Sequence, residues 1–127
     1  IKFLNFLKFR YINFQYDFAA DYSNGLARIK SKGKTGYINK KGEAIVLPLY
    51  EEGTDFYSST QSNTNSFAVV VLAGKKGVLD TTGKLIIPCE NDEITNAGYN
   101  MLKLEKNGKI AYYNLALQKQ VWAESGF

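Results

Sequence analysis

The chain has 127 residues, 45% of them hydrophobic and 22% charged, with a formal net charge of +4. That is ordinary globular composition, enough for one domain with a sizeable core, and no apolar run reaches the ~20 residues of a membrane helix. The absence of histidine excludes Ser-His triads, Cys-His dyads and His-ligated zinc within this chain, and the single cysteine, Cys89, excludes an internal disulfide or a Cys-rich metal site. A lone thiol leaves the redox compartment open, so localisation is not set by composition. Ile1 in place of methionine reads as a processed product or an excised fragment.

In chain order the first feature is a tripeptide. Phe3-Leu4-Asn5 recurs as Tyr37-Ile38-Asn39, Val78-Leu79-Asp80 and Tyr112-Tyr113-Asn114, at separations of 34, 41 and 34 residues. The longer middle interval is assigned to a polar insertion, residues 57–66, of the kind that forms an exposed loop. Phe3–Phe9 is expected to be a strand of a truncated copy rather than a membrane-contacting segment. Leu26-Ala27-Arg28-Ile29 and Met101-Leu102-Lys103-Leu104 alternate with the period of half-buried strands. Val69–Leu72 is apolar on both faces, which places the middle copy between neighbours. Glycines at Gly33, Gly74 and Asn107-Gly108 follow these strands and predict hairpins into the tripeptide strands. Asn39 and Asp80 stand three residues before Gly42 and Gly83, a type I turn signature. Third strands at Ala44–Leu47 and Leu85–Ile87 are expected to end at Pro48 and Pro88. The one-residue difference between Gly42–Pro48 and Gly83–Pro88 predicts a bulge in the earlier copy.

The unit is therefore a three-stranded antiparallel meander plus a connector. The expected fold is all-β, a stacked array of such meanders, with a partial propeller as the alternative. The units are a partial copy over 1–17, a copy over 18–52, a copy over 53–93 carrying the insertion, and a degenerate copy over 94–127.

These landmarks resemble the WG-repeat (KWG) family of mostly bacterial proteins. Gly25-Leu26-Ala27, Gly33-Lys34-Thr35-Gly36-Tyr37-Ile38-Asn39 and Lys40-Lys41-Gly42 follow its pattern, as do Gly74-Lys75-Lys76-Gly77-Val78-Leu79-Asp80 and Gly83 through Pro88. The naming Trp-Gly dipeptide is absent: Thr35-Gly36, Lys76-Gly77 and Ile110-Ala111 occupy its place, and the last copy has Leu117 at a turn-glycine position. Trp122 lies near that copy's proline position. The resemblance implies a β-rich repeat module with no assigned catalytic set, cofactor or ligand.

Two acidic clusters, Glu51-Glu52-Gly53-Thr54-Asp55 and Glu90-Asn91-Asp92-Glu93, invite a hydrolase or cation reading through Asp55 or Asp92. Glu52 and Asp92 each stand four residues after the proline, and Asp17 holds the same place relative to Asn13. Recurrence of that kind favours connector chemistry over catalysis or a metal. Gly33-Lys34-Thr35-Gly36 is no P-loop, because Arg28 stands where its first glycine belongs. Lys30, Lys32, Lys34, Lys40 and Lys41 with interleaved aromatics give a weaker nucleic-acid reading. Cys89 has no histidine to activate it and is expected to be a structural thiol. The preferred function is a non-catalytic surface for a protein or glycan, combining Lys-rich turns with the insertion. No site residue is named, no cofactor or metal is expected, and exposed sheet edges favour self-association.

Overall fold

The computed structural model describes residues 16–58 and 65–127. The strand expected at Phe3–Phe9 lies outside them, as does the middle of the insertion. The described chain is all β, in three antiparallel four-stranded sheets. The first contains Phe18–Ala19 (β1), Leu26–Ser31 (β2), Lys34–Asn39 (β3) and Ala44–Tyr50 (β4). The second contains Glu52–Gly53 (β5), Phe67–Leu72 (β6), Lys75–Asp80 (β7) and Leu85–Asn91 (β8). The third contains Glu93–Gly98 (β9), Met101–Lys106 (β10), Lys109–Asn114 (β11) and Lys119–Ala123 (β12). Within each sheet spatial order follows chain order. The expected three-strand unit is present in all three, and the connector adds a fourth strand at its edge.

Turn chemistry sets the meander. Lys32 and Gly33, Ala73 and Gly74, and Asn107 and Gly108 all have positive φ, as a two-residue type I′ hairpin requires. At the opposite end Asn39 Oδ1 accepts the backbone N–H groups of Lys41 (2.9 Å) and Glu43 (3.0 Å). Asp80 Oδ1 does the same for Thr82 (2.9 Å) and Lys84 (3.0 Å). In the third sheet Leu117 cannot take the left-handed conformation cheaply. The positive φ moves one residue on, to Gln118, within a turn of the same four residues.

Two expectations are corrected here. The prolines do not end their strands: β4 and β8 run through Pro48 and Pro88 to Tyr50 and Asn91. Both strands bulge, and in the same way. Tyr37 pairs with Val46 and Thr35 with Tyr50, so three residues of β4 oppose Gly36 alone. Val78 pairs with Ile87 and Lys76 with Asn91, so three residues of β8 oppose Gly77. The proline sits inside the bulge, where no ladder N–H is needed. Because the registers match throughout, Pro48 aligns with Cys89 and Pro88 with Leu47. The difference in spacing is a proline moved by one place, not an extra bulge in the earlier copy.

The glycine opposite each bulge has a steric reason. A Cβ on Gly36 would lie 2.5 Å from the Val46 carbonyl oxygen, and one on Gly77 would lie 2.6 Å from that of Ile87. The third sheet has Ala111 there, and it lacks this bulge: Ala111 pairs directly with Ala123.

Glu51 alone separates β4 from β5, and Asp92 alone separates β8 from β9. One residue spans at most about 3.6 Å, so the chain turns a corner between sheets and makes no outer-to-inner traverse of the propeller kind. The sheets stack face to face. Leu26, Tyr37 and Val46 of the first meet Ala68, Val70 and Leu79 of the second, with Phe56 between them. Phe67, Val69, Val78 and Ile87, on the other face of the second, meet Leu102, Leu104, Ala111 and Tyr113 of the third. The middle sheet thus buries both faces, as its apolar run predicts, although burial stops at Val70 and Leu72 is exposed.

Candidate interaction surface

The acidic connectors are structural. Glu51 accepts the N–H groups of Ala73 (2.8 Å) and Gly74 (3.1 Å), capping the strained hairpin of the following strand pair. Asp92 accepts the Asn107 N–H at 2.9 Å and pairs with Lys75. These contacts correct the expected alignment: the counterpart of Asp92 is Glu51, not Glu52. Asp17 shares the position, since its N–H bonds the Lys30 carbonyl as Glu51 bonds Val71 and Asp92 bonds Glu105. The Lys75 ammonium and the Asn107 N–H hold the Asp92 carboxyl below its ordinary range. Lys76, 2.7 Å from Glu93, does the same there.

Asp55 and Asp92, the hydrolase candidates, are not brought together. Asp55 follows β5 and pairs with Arg28 of the first sheet at 3.0 Å. Asp92 sits at the corner into the third sheet. Among the described residues no group of three or more Asp, Glu or Cys side chains is placed to hold a metal. Cys89 is half-buried over Gly77, and burial pushes its thiol pKa up, away from the nucleophilic thiolate.

The Lys-rich turns do not form one patch. Lys32 and Lys34 belong to the β2–β3 hairpin, whereas Lys40 and Lys41 belong to the β3–β4 turn at the opposite end of the sheet. Only Lys40 and Lys41 share an end with the insertion. Its base is closed by a Tyr57–Phe67 bridge and by Ser58 and Ser66, whose hydroxyls are 3.0 Å apart.

A cleft of about 260 Å³ lies between β8 and the third sheet, lined by Ile87, Pro88, Glu90, Lys106, Gln120 and Phe127 among others. Its rim is partly closed: Lys106 lies 4.5 Å above the Phe127 ring and 3.9 Å from Glu90.

The outer face of the third sheet is the feature the sequence did not single out. Cross-strand register runs Arg28–Tyr37–Val46 in the first sheet, Val69–Val78–Ile87 in the second and Lys103–Tyr112–Trp122 in the third. In the first two sheets the tyrosine or valine at the centre of that row is fully buried by the next sheet, and Val46 and Ile87 beside it are buried too. In the third, Trp122 is 52% exposed and Tyr112 is half-buried. The Tyr112 and Trp122 rings lie 6.1 Å apart, and Lys103 and Glu105 flank them 3.8 Å apart. The available signal was tryptophan standing where the earlier copies have aliphatic residues.

A family model for the WG containing repeat matches residues 12–34, 36–75 and 77–109. The chain belongs to the WG-repeat family. No curated protein and no solved structure matches it. The matched segments run out of phase with the sheets: 36–75 takes in β3 and β4 of the first sheet and β5 and β6 of the second. The segments 36–75 and 77–109 therefore each straddle a corner, with the acidic capping residue Glu51 or Asp92 near the centre. Among the described residues no helix is long and apolar enough to cross a membrane.

Proposed function

We propose that this chain is a non-catalytic interaction module that receives a protein or glycan on the outer face of the third sheet. The observation that carries the reading is the half-buried Tyr112 beside the exposed Trp122, at positions whose counterparts are core in the other two sheets. Exposed aromatic faces offer large apolar area with a polar rim, which suits a flat apolar partner or a stacked sugar ring. The packing units on this reading are the three sheets, divided at Glu51 and Asp92 and so beginning one residue before the expected copies 53–93 and 94–127. The separation of Asp55 from Asp92 supports a non-catalytic role over a hydrolase. The division of the lysines between two ends favours a protein or glycan over nucleic acid.

Trp122 is the only tryptophan, so its emission reports this face alone. Titration with glycan and peptide libraries is expected to yield ligands that shift Trp122 emission and are lost in Trp122→Ala. Ligands that leave that emission unchanged, or turnover of a substrate, would contradict the proposal.

A further inference from the structure

Resting on the reading of this face as an interaction surface, we infer that its occupant is a protein segment in which an acidic residue is followed directly by an aromatic one. The first sheet, whose equivalent face is covered, shows what such a surface holds. Its occupant is Thr54-Asp55-Phe56, which leaves the edge of the second sheet just after β5. Arg28 pairs with Asp55 at 3.0 Å, the Tyr37 ring meets Phe56 edge-on with centroids 5.0 Å apart, and the Tyr37 hydroxyl donates to the Thr54 carbonyl at 2.6 Å. Phe56 is fully buried there, in one core cluster with Leu26, Tyr37 and Val46.

The second sheet is the internal control. Arg28 and Tyr37 pair across β2 and β3, and the same register position holds Val69 and Val78 in β6 and β7. The matching segment of the third sheet has changed as well. Gly53 pairs with Val70 as Ile94 pairs with Leu104, and Tyr57 with Phe67 as Gly98 with Met101. That aligns Asp55 with Asn96 and Phe56 with Ala97. Asn96 Oδ1 accepts the Gly98 N–H of its own strand at 2.9 Å, and Ala97 is exposed. Cation and tyrosine thus go with carboxylate and ring, and two valines go with neither. In the third sheet the pair returns as Lys103 and Tyr112, and Trp122 in place of Val46 widens the apolar floor. Lys103 pairs loosely, at 3.8 Å, with Glu105 of its own strand, where the first sheet has Lys30. An incoming carboxylate takes that place as Asp55 takes Arg28, and the ring that follows it lies against Tyr112 and Trp122.

The probe is a capped peptide of residues 50–57 of this chain, which carries Thr54-Asp55-Phe56 and no tryptophan, titrated into the intact chain with Trp122 emission as the readout. Emission is expected to move to shorter wavelength and to saturate with a half-point below about 1 mM peptide. Asp55→Asn in the peptide is expected to weaken binding about threefold, the scale of an exposed ion pair, and Phe56→Ala in the peptide more than about tenfold. In the chain, Lys103→Glu is expected to weaken the parent peptide about tenfold and to prefer a peptide carrying Asp55→Lys. Glu105→Gln, which removes the competing carboxylate, tightens the parent peptide about twofold. The peptide substitutions leave the chain untouched, so no folding defect can imitate their effect.

No saturable shift with the parent peptide overturns the inference. So does equal binding of the parent and of a peptide carrying both Asp55→Asn and Phe56→Ala, which would mean a surface that is merely sticky. Failure of Lys103→Glu to prefer the Asp55→Lys peptide overturns it too, because the carboxylate is then not read at Lys103. If these peptides fail while a glycan or an unrelated peptide still shifts Trp122 emission, the acidic-aromatic segment is removed as occupant and the interaction surface stands. A chain that answers to no glycan and no peptide removes both.

Discussion

The inward faces of the first two sheets and the outward face of the third are built on one plan and meet different fates. Tyr37 and Tyr112 hold the same register position, each paired with a basic residue on one side and an apolar residue on the other. Tyr37 is fully buried; Tyr112 lies beside an exposed tryptophan. The repeat thus specifies a sticky face locally, and the surroundings decide whether that face becomes core or surface. This is the expected behaviour of a quasi-one-dimensional array, in which each unit is stabilised mainly by its neighbours.

The comparison breaks most readily at Phe56, which is fully buried between the first two sheets. Phe56→Ala is expected to cost about 3–5 kcal/mol, read as a lower urea midpoint. A loss below about 1 kcal/mol would mean that the first two sheets are not held together there. Next comes Gly77, whose added Cβ meets backbone at 2.6 Å. Gly77→Ala is expected to destabilise by about 1–3 kcal/mol, whereas Ala111, in the sheet without that bulge, already tolerates the methyl group. An undisturbed Gly77→Ala protein would refute the steric origin of the family glycine.

Tyr37→Phe sharpens the comparison through pH. Burial pushes the Tyr37 phenol well above its ordinary value of 10, with Arg28 opposing weakly. The unfolded chain releases that proton above about pH 10 while the folded one keeps it, so stability falls as pH rises through the unfolded value. Tyr37→Phe is expected to lose about 1 kcal/mol at neutral pH with the hydrogen bond to Thr54, and to show a shallower alkaline decline. Burial raises Tyr50, Tyr57 and Tyr113 too, so the decline flattens without vanishing. Equal slopes for both proteins would show that Tyr37 is not protected. The smallest effect is a gain. Thr35 Oγ1 is buried without a hydrogen-bond partner among the described residues, so Thr35→Val is expected to raise stability by about 1 kcal/mol in the same urea assay, and a loss would reveal a partner for that hydroxyl.

Much of this was legible because it is periodic. The tripeptide spacing located β3, β7 and β11, and the Gly and Asx positions located the turns, since both signals act through local backbone conformation. The two-faced apolar run at Val69 placed the second sheet in the middle. What misled was proline. As a missing donor it reads as a strand end, and only the pairing partner shows that Gly36 and Gly77 leave room for a bulge to carry the strand past it. The capping role of Glu51 and Asp92 was legible as recurrence but not as partner, because the hairpins they cap lie 22 and 15 residues away. The Tyr112–Trp122 face escaped for a related reason: strand alternation gives side-chain direction, but only packing between sheets tells a covered face from a bare one.

The sharpest measurement sets Tyr37→Ala beside Tyr112→Ala in parallel urea unfolding. If one repeat face is core in the first sheet and surface in the third, Tyr37→Ala costs about 3–5 kcal/mol and Tyr112→Ala less than about 1 kcal/mol. Equal losses at the two positions would contradict the account.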